Sequence, residues 1–346
     1  MARLDILCPG LFGPFADPAA FPLQAPALAR LIGRADHMSR LTGEASPDPG
    51  AVFLGAAGLT WPADESPPSA PIALLGEGWS VDPEVIWMHA NPVHLRPDRD
   101  QLRLYAGAAL APQPQEVKAL VAAFNRHFAP EGLELVAAAP ERWYLCLRHR
   151  PLQLEMAPLP VVQGRSLSGY LPQGQDAVIW MRLLTEAQML FHAHPVNQRR
   201  AALGRPSLNG LWTWGQGRLP TAFTPTADEL IGDLPLVKGL AQLGGCAYRT
   251  LDDWLADPAT GPQRRMVFWD RHWRASVDQD LGSWQAATRA LDDALARLWK
   301  IMARRQLASL TLDPCQGPLF RLKPHHRWRL WRRPSLGAGL WGKKGS

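Results

Sequence analysis

A chain of 346 residues is long enough for one large domain or two modest ones, and 47% apolar with 20% charged residues excludes a disordered or fibrous protein. The net charge of +6 is gathered largely in 321–344, which leaves the body close to neutral. No apolar run approaches the ~20 residues needed to span a bilayer, the N-terminus has no apolar signal region, and Cys8, Cys146, Cys246 and Cys315 are too far apart for a short-spaced zinc or redox motif. These features predict a cytoplasmic protein in a reducing compartment.

Residues 4–8 are an apolar run stopped by Pro9-Gly10, which predicts a buried strand ending in a sharp loop. Residues 23–32 have helical spacing, and 43–71 is a Pro/Gly-rich stretch with one short helix or strand over 51–59. Strands are predicted at 85–88 and 102–105, and an amphipathic helix at 115–128 with Val117, Leu120, Val121 and Phe124 on one face. Two more strands follow at 133–136 and 143–147, making a small α+β unit. The Pro/Gly-rich 153–175 reads as a linker.

A helix is expected from Thr185 through Phe191, broken at Pro195 and followed by a basic turn over 197–200. An apolar strand at 211–214 then closes on Gly-Gln-Gly, and this junction looks like the ligand-bearing edge of an α/β core sheet. Further helices are predicted at 234–243, stopped by Gly244-Gly245, and at 283–302. Strands are expected at 266–270 and 307–312, with a terminal hairpin from 319–322 and 328–331. The alternation predicts an α/β protein with a mostly parallel sheet flanked by helices. Its expected parts are a core of 1–75 and 172–335, an inserted α+β unit with linker over 76–171, and a basic tail at 336–346.

Four groups of polar residues compete as sites. His192 and His194 with Asn197 and Arg199 could hold an acidic ligand or a metal, but helix capping and turn bonding explain them more simply. His89, Asn91, His94 and Arg96, with Arg142, suit a carboxylate or phosphate as well as they suit a solvated loop. Asp270, Asp278, Asp280 and Asp313 are metal candidates that follow core strands but lack histidine partners, whereas Asp252–Asp253 and Asp292–Asp293 are read as solvated. Basic and aromatic residues over 323–344 (His325, His326, Trp328 and Trp331 among them) could contact nucleic acid, but the RWRLW alternation favours an edge strand.

The stretch FHAHPVNQRRAALGRPSLNGLWTWGQG resembles a segment of the archaeal-type cofactor-independent phosphoglycerate mutases, of the alkaline phosphatase superfamily. PLQAPALARLI from Pro22, LLGEGWSVDPEVIWMHANPVHL from Leu74, AAAPERWYLCLR from Ala137 and DLPLVKGLAQLGG from Asp233 agree in the same order, and the likeness is greatest to a bacterial offshoot, the RpfE-type regulatory proteins. The resemblance implies an alkaline phosphatase-like core with a small inserted domain that carries substrate-binding groups. It also implies two divalent metals on Asp and His ligands and a transiently phosphorylated serine. The chain departs from that pattern at the chemistry. Pro9 stands for an Asp ligand, neither Ser46 nor Ser69 lies in the nucleophile motif, RHWRASVDQD lacks the ligand histidine, and Pro314 follows Asp313 where a histidine is expected. The expectation is therefore a mutase-like protein without catalysis, with no cofactor, a regulatory role, a small acidic or phosphorylated ligand and a regulatory protein partner. Membrane contact is not expected. The competing readings are an active mutase or phosphohydrolase using Mn or Zn, and a nucleic-acid-associated regulator using the basic C-terminus.

Overall fold

The computed structural model describes residues 2–13, 24–39, 48–98, 101–148 and 152–332. In chain order the strands are β1 (Ala2–Leu7), β2 (Asp36–Met38), β3 (Ile86–Asp98), β4 (Gln101–Ala106), β5 (Leu133–Ala139), β6 (Arg142–Leu147), β7 (Gly210–Gly217), β8 (Glu229–Ile231), β9 (Ala247–Arg249), β10 (Arg264–Phe268), β11 (Leu307–Asp313) and β12 (Leu319–Leu322). The helices are α1 (Pro26–Arg34), α2 (Pro49–Ala56), α3 (Ser69–Gly76), α4 (Pro114–Phe128), α5 (Leu159–Val162), α6 (Ala177–Ala193), α7 (Pro195–Ala202), α8 (Pro235–Gly244), α9 (Leu251–Ala256), α10 (Arg271–Val277) and α11 (Leu281–Ala303). Two units result: Met1–Leu59 with Thr224–Ser346, and Thr60–Phe223.

The first unit holds a seven-stranded sheet in the order β2-β12-β11-β1-β10-β8-β9. The run from β11 to β9 is parallel, and β12 and β2 add antiparallel strands at one edge. On one face Leu4, Ile6 and Val267 pack with α1, α9 and α11. Phe268, one residue along from Val267, faces Phe53 of α2 at 4.9 Å between ring centroids, so helices cover both faces. The longest helix, α11, presents Trp284, Ala287, Leu291, Leu295, Leu298 and Met302 at helical spacing, and its N-cap Asp280 accepts from the Ser283 amide. Asp292 of α11 is buried, and its Oδ1 accepts the Leu28 amide at 2.7 Å in the first turn of α1. It is therefore not the solvated acid expected from its neighbour Asp293.

The second unit is built on the thirteen-residue β3. Its first half pairs with β6, its second half with β4, and β7 runs antiparallel along the middle. The strand expected at 211–214 in the parallel core is this β7, so the sequence-based boundary at 172 misplaces it. Residues 177–223 fold with the inserted sheet, because Trp212 and the α6 residues Trp180 and Phe191 fill the same core as Met88 and Leu120. The expected linker belongs there too, since Met156, Leu159 and Val162 are buried in that core. Helix α6 starts eight residues before the predicted Thr185, and the basic turn at 197–200 is helix α7, with Pro195 at its start. Residues 324–328 form a 3₁₀ turn, so the predicted hairpin with 328–331 does not form and β12 instead lies between β11 and β2. Among the described residues no helix is long and apolar enough to cross a membrane.

Candidate functional site

In the first unit the parallel strands β11, β1 and β10 are neighbours, and their carboxyl ends bring Cys8, Asp270, Asp313 and Cys315 together, where parallel sheets present ligand groups. Backbone bonds from Cys8 N to Asp313 O (2.6 Å) and from Trp269 N to Leu7 O (2.7 Å) fix that junction. A residue from α10 completes it. The Trp269 indole N–H, which only donates, gives to His272 Nδ1 at 2.8 Å. That places the imidazole proton on Nε2, which donates to Thr288 Oγ1 at 2.9 Å, and Thr288 in turn donates to Trp284 O at 3.0 Å. Cys8 Sγ approaches the same Nδ1 at 3.3 Å. Burial lowers the His272 pKa to about 3, so the ring is neutral at ordinary pH. Burial, then the nearby Cys315, Asp313 and Asp270, push the Cys8 thiol well above its usual value, so it remains protonated.

The acids at this edge are also engaged. Asp270 is 2% exposed, and the half-exposed Arg274 approaches its Oδ2 at 2.5 Å without good hydrogen-bond alignment to either oxygen. Burial outweighs the arginine charge and raises its pKa. Asp313 Oδ1 accepts the Cys315 amide at 2.7 Å. Asp278 and Asp280 are not at a strand end as expected: Asp278 closes α10, and Asp280 caps α11 through Ser283 N (3.0 Å) and Oγ (2.6 Å). Among the described residues no three His, Cys, Asp or Glu side chains form a group that could hold a metal ion. The pair of divalent metals implied by the resemblance does not fit these groups: the thiol is protonated, both imidazole nitrogens are bonded, and Asp270 faces a guanidinium. Ser46 lies outside the described residues, as do Pro22 and the tail at 336–346.

In the second unit His89 and Arg142 come together around α3. His89 stacks on Trp214 at 4.1 Å and lies 5.2 Å from the Tyr144 ring, and burial lowers its pKa to about 3. Trp214 Nε1 donates to Asn91 Oδ1 at 2.9 Å. Arg142 forks onto Glu77 (Nε–Oε1 2.5 Å, Nη2–Oε2 3.2 Å), so its charge is neutralised within the protein. Gly215 lets β7 pass here: its φ is +64°, and a Cβ would collide with the buried Ser69 Oγ. His94, farther along β3, donates from Nδ1 to Ser207 O at 3.0 Å, and burial lowers its pKa. Arg96 is exposed.

The α6–α7 residues are structural, with two exposed exceptions. His194 caps α7, its Nδ1 accepting the Val196 amide at 3.2 Å, and burial followed by the Arg199 and Arg126 charges lowers its pKa. Asn197 is buried and donates to Phe191 O (2.7 Å) and Leu208 O (3.0 Å) while accepting Leu208 N (2.7 Å), as the simpler sequence reading expected. His192 and Arg199 are exposed. Arg200, part of the basic turn expected from the sequence, is fully buried, pairs with Glu116 at 2.6 Å, and donates to Pro206 O and Leu110 O. Cys8 and His272 also escaped the sequence reading. The usable signal was that three parallel strand ends (LCPG, FWDRH and LDPC) must converge.

Comparison with known proteins locates the likeness. Residues 62–197 match the family described as 2,3-bisphosphoglycerate-independent phosphoglycerate mutase. A protein of that name from Methanothrix thermoacetophila is 35% identical over 98 residues, covering 26% of this chain and 24% of the relative. A probable 2,3-bisphosphoglycerate-independent phosphoglycerate mutase from Geobacter sulfurreducens is 23% identical over 197 residues, covering 56% of this chain and 48% of the relative. The chain thus spans between a quarter and a half of the length of these curated relatives. The solved structure of the PH0037 protein from Pyrococcus horikoshii shares the fold, with a TM-score of 0.53, 14% identity, and coverage of 93% of this chain and 87% of that one. The fold is the mostly parallel α/β sheet flanked by helices that the sequence predicts, together with an α+β unit, and over residues 62–197 the chain is similar to the 2,3-bisphosphoglycerate-independent phosphoglycerate mutases.

Proposed function

We propose that this chain is a phosphoglycerate mutase-like protein that does not catalyse phosphoryl transfer and serves instead as a regulatory or ligand-binding protein. The observation that carries this reading is the state of His272 at the strand ends of the first unit. Trp269 and Cys8 share its Nδ1, and its Nε2 proton goes to Thr288, so neither nitrogen has a lone pair to offer a metal. Without a metal pair to screen the phosphate and activate a nucleophile, the buried, uncharged Cys8–His272 network has no route to a phosphoenzyme. A ligand-binding role on the second unit draws on Arg96 and Arg199, exposed cations among the residues expected to meet an acidic ligand.

The test is turnover of 3-phosphoglycerate by the full chain with Mn²⁺ and, separately, Zn²⁺ supplied. The expected result is no 2-phosphoglycerate above the rate without protein. Conversion that depends on the added metal would overturn this reading in favour of an active metal-dependent mutase.

A further inference from the structure

We propose that one end of the first unit, formed by 323–332 with the last turns of α1 and α11, docks on the surface of a membrane carrying anionic lipid. Within four residues the chain exposes three large apolar side chains: Trp328 at 64%, Leu330 at 69% and Trp331 at 75%. Exposing so much apolar surface in one place is unfavourable unless something covers it.

The backbone that carries these side chains is pinned by arginines. Arg327 Nη1 donates to Ala303 O at the end of α11 (2.8 Å). Arg329 Nη1 donates to Arg34 O at the end of α1 (3.0 Å) and pairs with Asp36 (2.6 Å), and Arg332 Nη1 donates to Ala35 O (2.8 Å). Arg34 returns a bond to Arg327 O at 2.9 Å. These guanidiniums serve carbonyls left unpaired by the helix ends. With the backbone held this way, the indoles and the leucine stay directed at solvent, and Arg327 lies 4.8 Å over the Trp328 ring.

The charge around the patch selects the occupant. Between residues 297 and 332 the sequence has nine Lys and Arg and a single acid, Asp313. Lys300, Arg304, Arg305 and Lys323 are exposed there, and the carboxylate of Asp36 is already paired with Arg329. A negatively charged surface complements this end. Two tryptophans flanking a leucine, with cations beside them, match the demands of the headgroup region, where indoles settle at the interface, aliphatic groups enter the acyl boundary and Lys and Arg meet anionic lipid. Leu330 has no flat face on which a base could stack, which weighs against nucleic acid. The expectation of no membrane contact came from the lack of a spanning run, and a surface contact needs none.

Co-sedimentation of the full chain with vesicles tests the proposal. Vesicles of equal parts phosphatidylcholine and phosphatidylglycerol should carry the protein down at low salt, pure phosphatidylcholine should not, and added salt should release it. The W328A/L330A/W331A variant changes only exposed side chains, so circular dichroism should show an intact fold while vesicle affinity falls by roughly tenfold or more. No sedimentation with the mixed vesicles, or equal sedimentation of the folded variant, would overturn the proposal. So would a DNA duplex that strips the wild-type chain from the vesicles but binds the variant weakly, since the patch would then be a nucleic-acid surface.

Discussion

Replacing Arg200 with alanine should destabilise the second unit by about 3–5 kcal/mol, the usual cost of breaking one partner of a buried ion pair. The guanidinium is fully buried, and it links three separate parts of the fold: Glu116 in α4, Leu110 in the turn before α4, and Pro206 after α7. Removing it strands the Leu110 and Pro206 carbonyls without their donor. It also leaves Glu116, 16% exposed, without a cation, although its contact with the Gln113 amide at the helix start survives. Urea unfolding monitored in the far ultraviolet should show one transition moving to lower denaturant. A shift equivalent to less than about 1 kcal/mol, typical of an exposed pair, would mean that Arg200 does not hold these elements together.

The second unit should also lose stability in acid through His89. Burial lowers its folded-state pKa to about 3, against about 6.5 when unfolded. Between those values the unfolded chain binds the proton and the folded chain does not, so stability is flat above about pH 7 and falls as the pH drops toward 3. The slope is about 1.4 kcal/mol per pH unit, or about 2.7 kcal/mol lost by pH 4.5. His89→Phe keeps an aromatic ring against Trp214 and should remove most of that slope, leaving the smaller part that His94 and His194, also lowered by burial, contribute. A variant whose stability falls with acid as steeply as the parent's would rule His89 out as the cause. The first unit gives a less clean signal. His272, also lowered to about 3, acts in the same direction, but burial raises Asp48 to about 6, and that carboxyl gains relative stability as pH falls from 6 toward 4.

Where local chemistry decides structure, the sequence was readable. Helix α4 carries its own capping box and apolar stripe, α8 stops at Gly245 with φ +64°, and α11 keeps one apolar face for about five turns. The misreadings come from partners distant in the chain. The apolar composition of β7 suits a core strand of either unit, and only its pairing with β3 assigns it. Proline-rich 153–175 looks like a linker until Met156, Leu159 and Val162 find a core to fill. Alternation over 328–331 matches an edge strand, but arginine bonds to two helix ends favour a turn instead. The candidate site divides in the same way. Asn197 was legible because its partners lie within eleven residues, whereas Cys8 and His272 meet across 264 residues, through the β1–β10 pairing and the start of α10.

The most direct measurement of the central claim is the metal content of the chain, purified without chelator and passed through gel filtration, by elemental mass spectrometry. If the strand ends of the first unit are closed by the Cys8–His272–Trp269 network and the Asp270–Arg274 pair, manganese and zinc should each remain well below one equivalent. Two tightly held ions per chain would contradict the account.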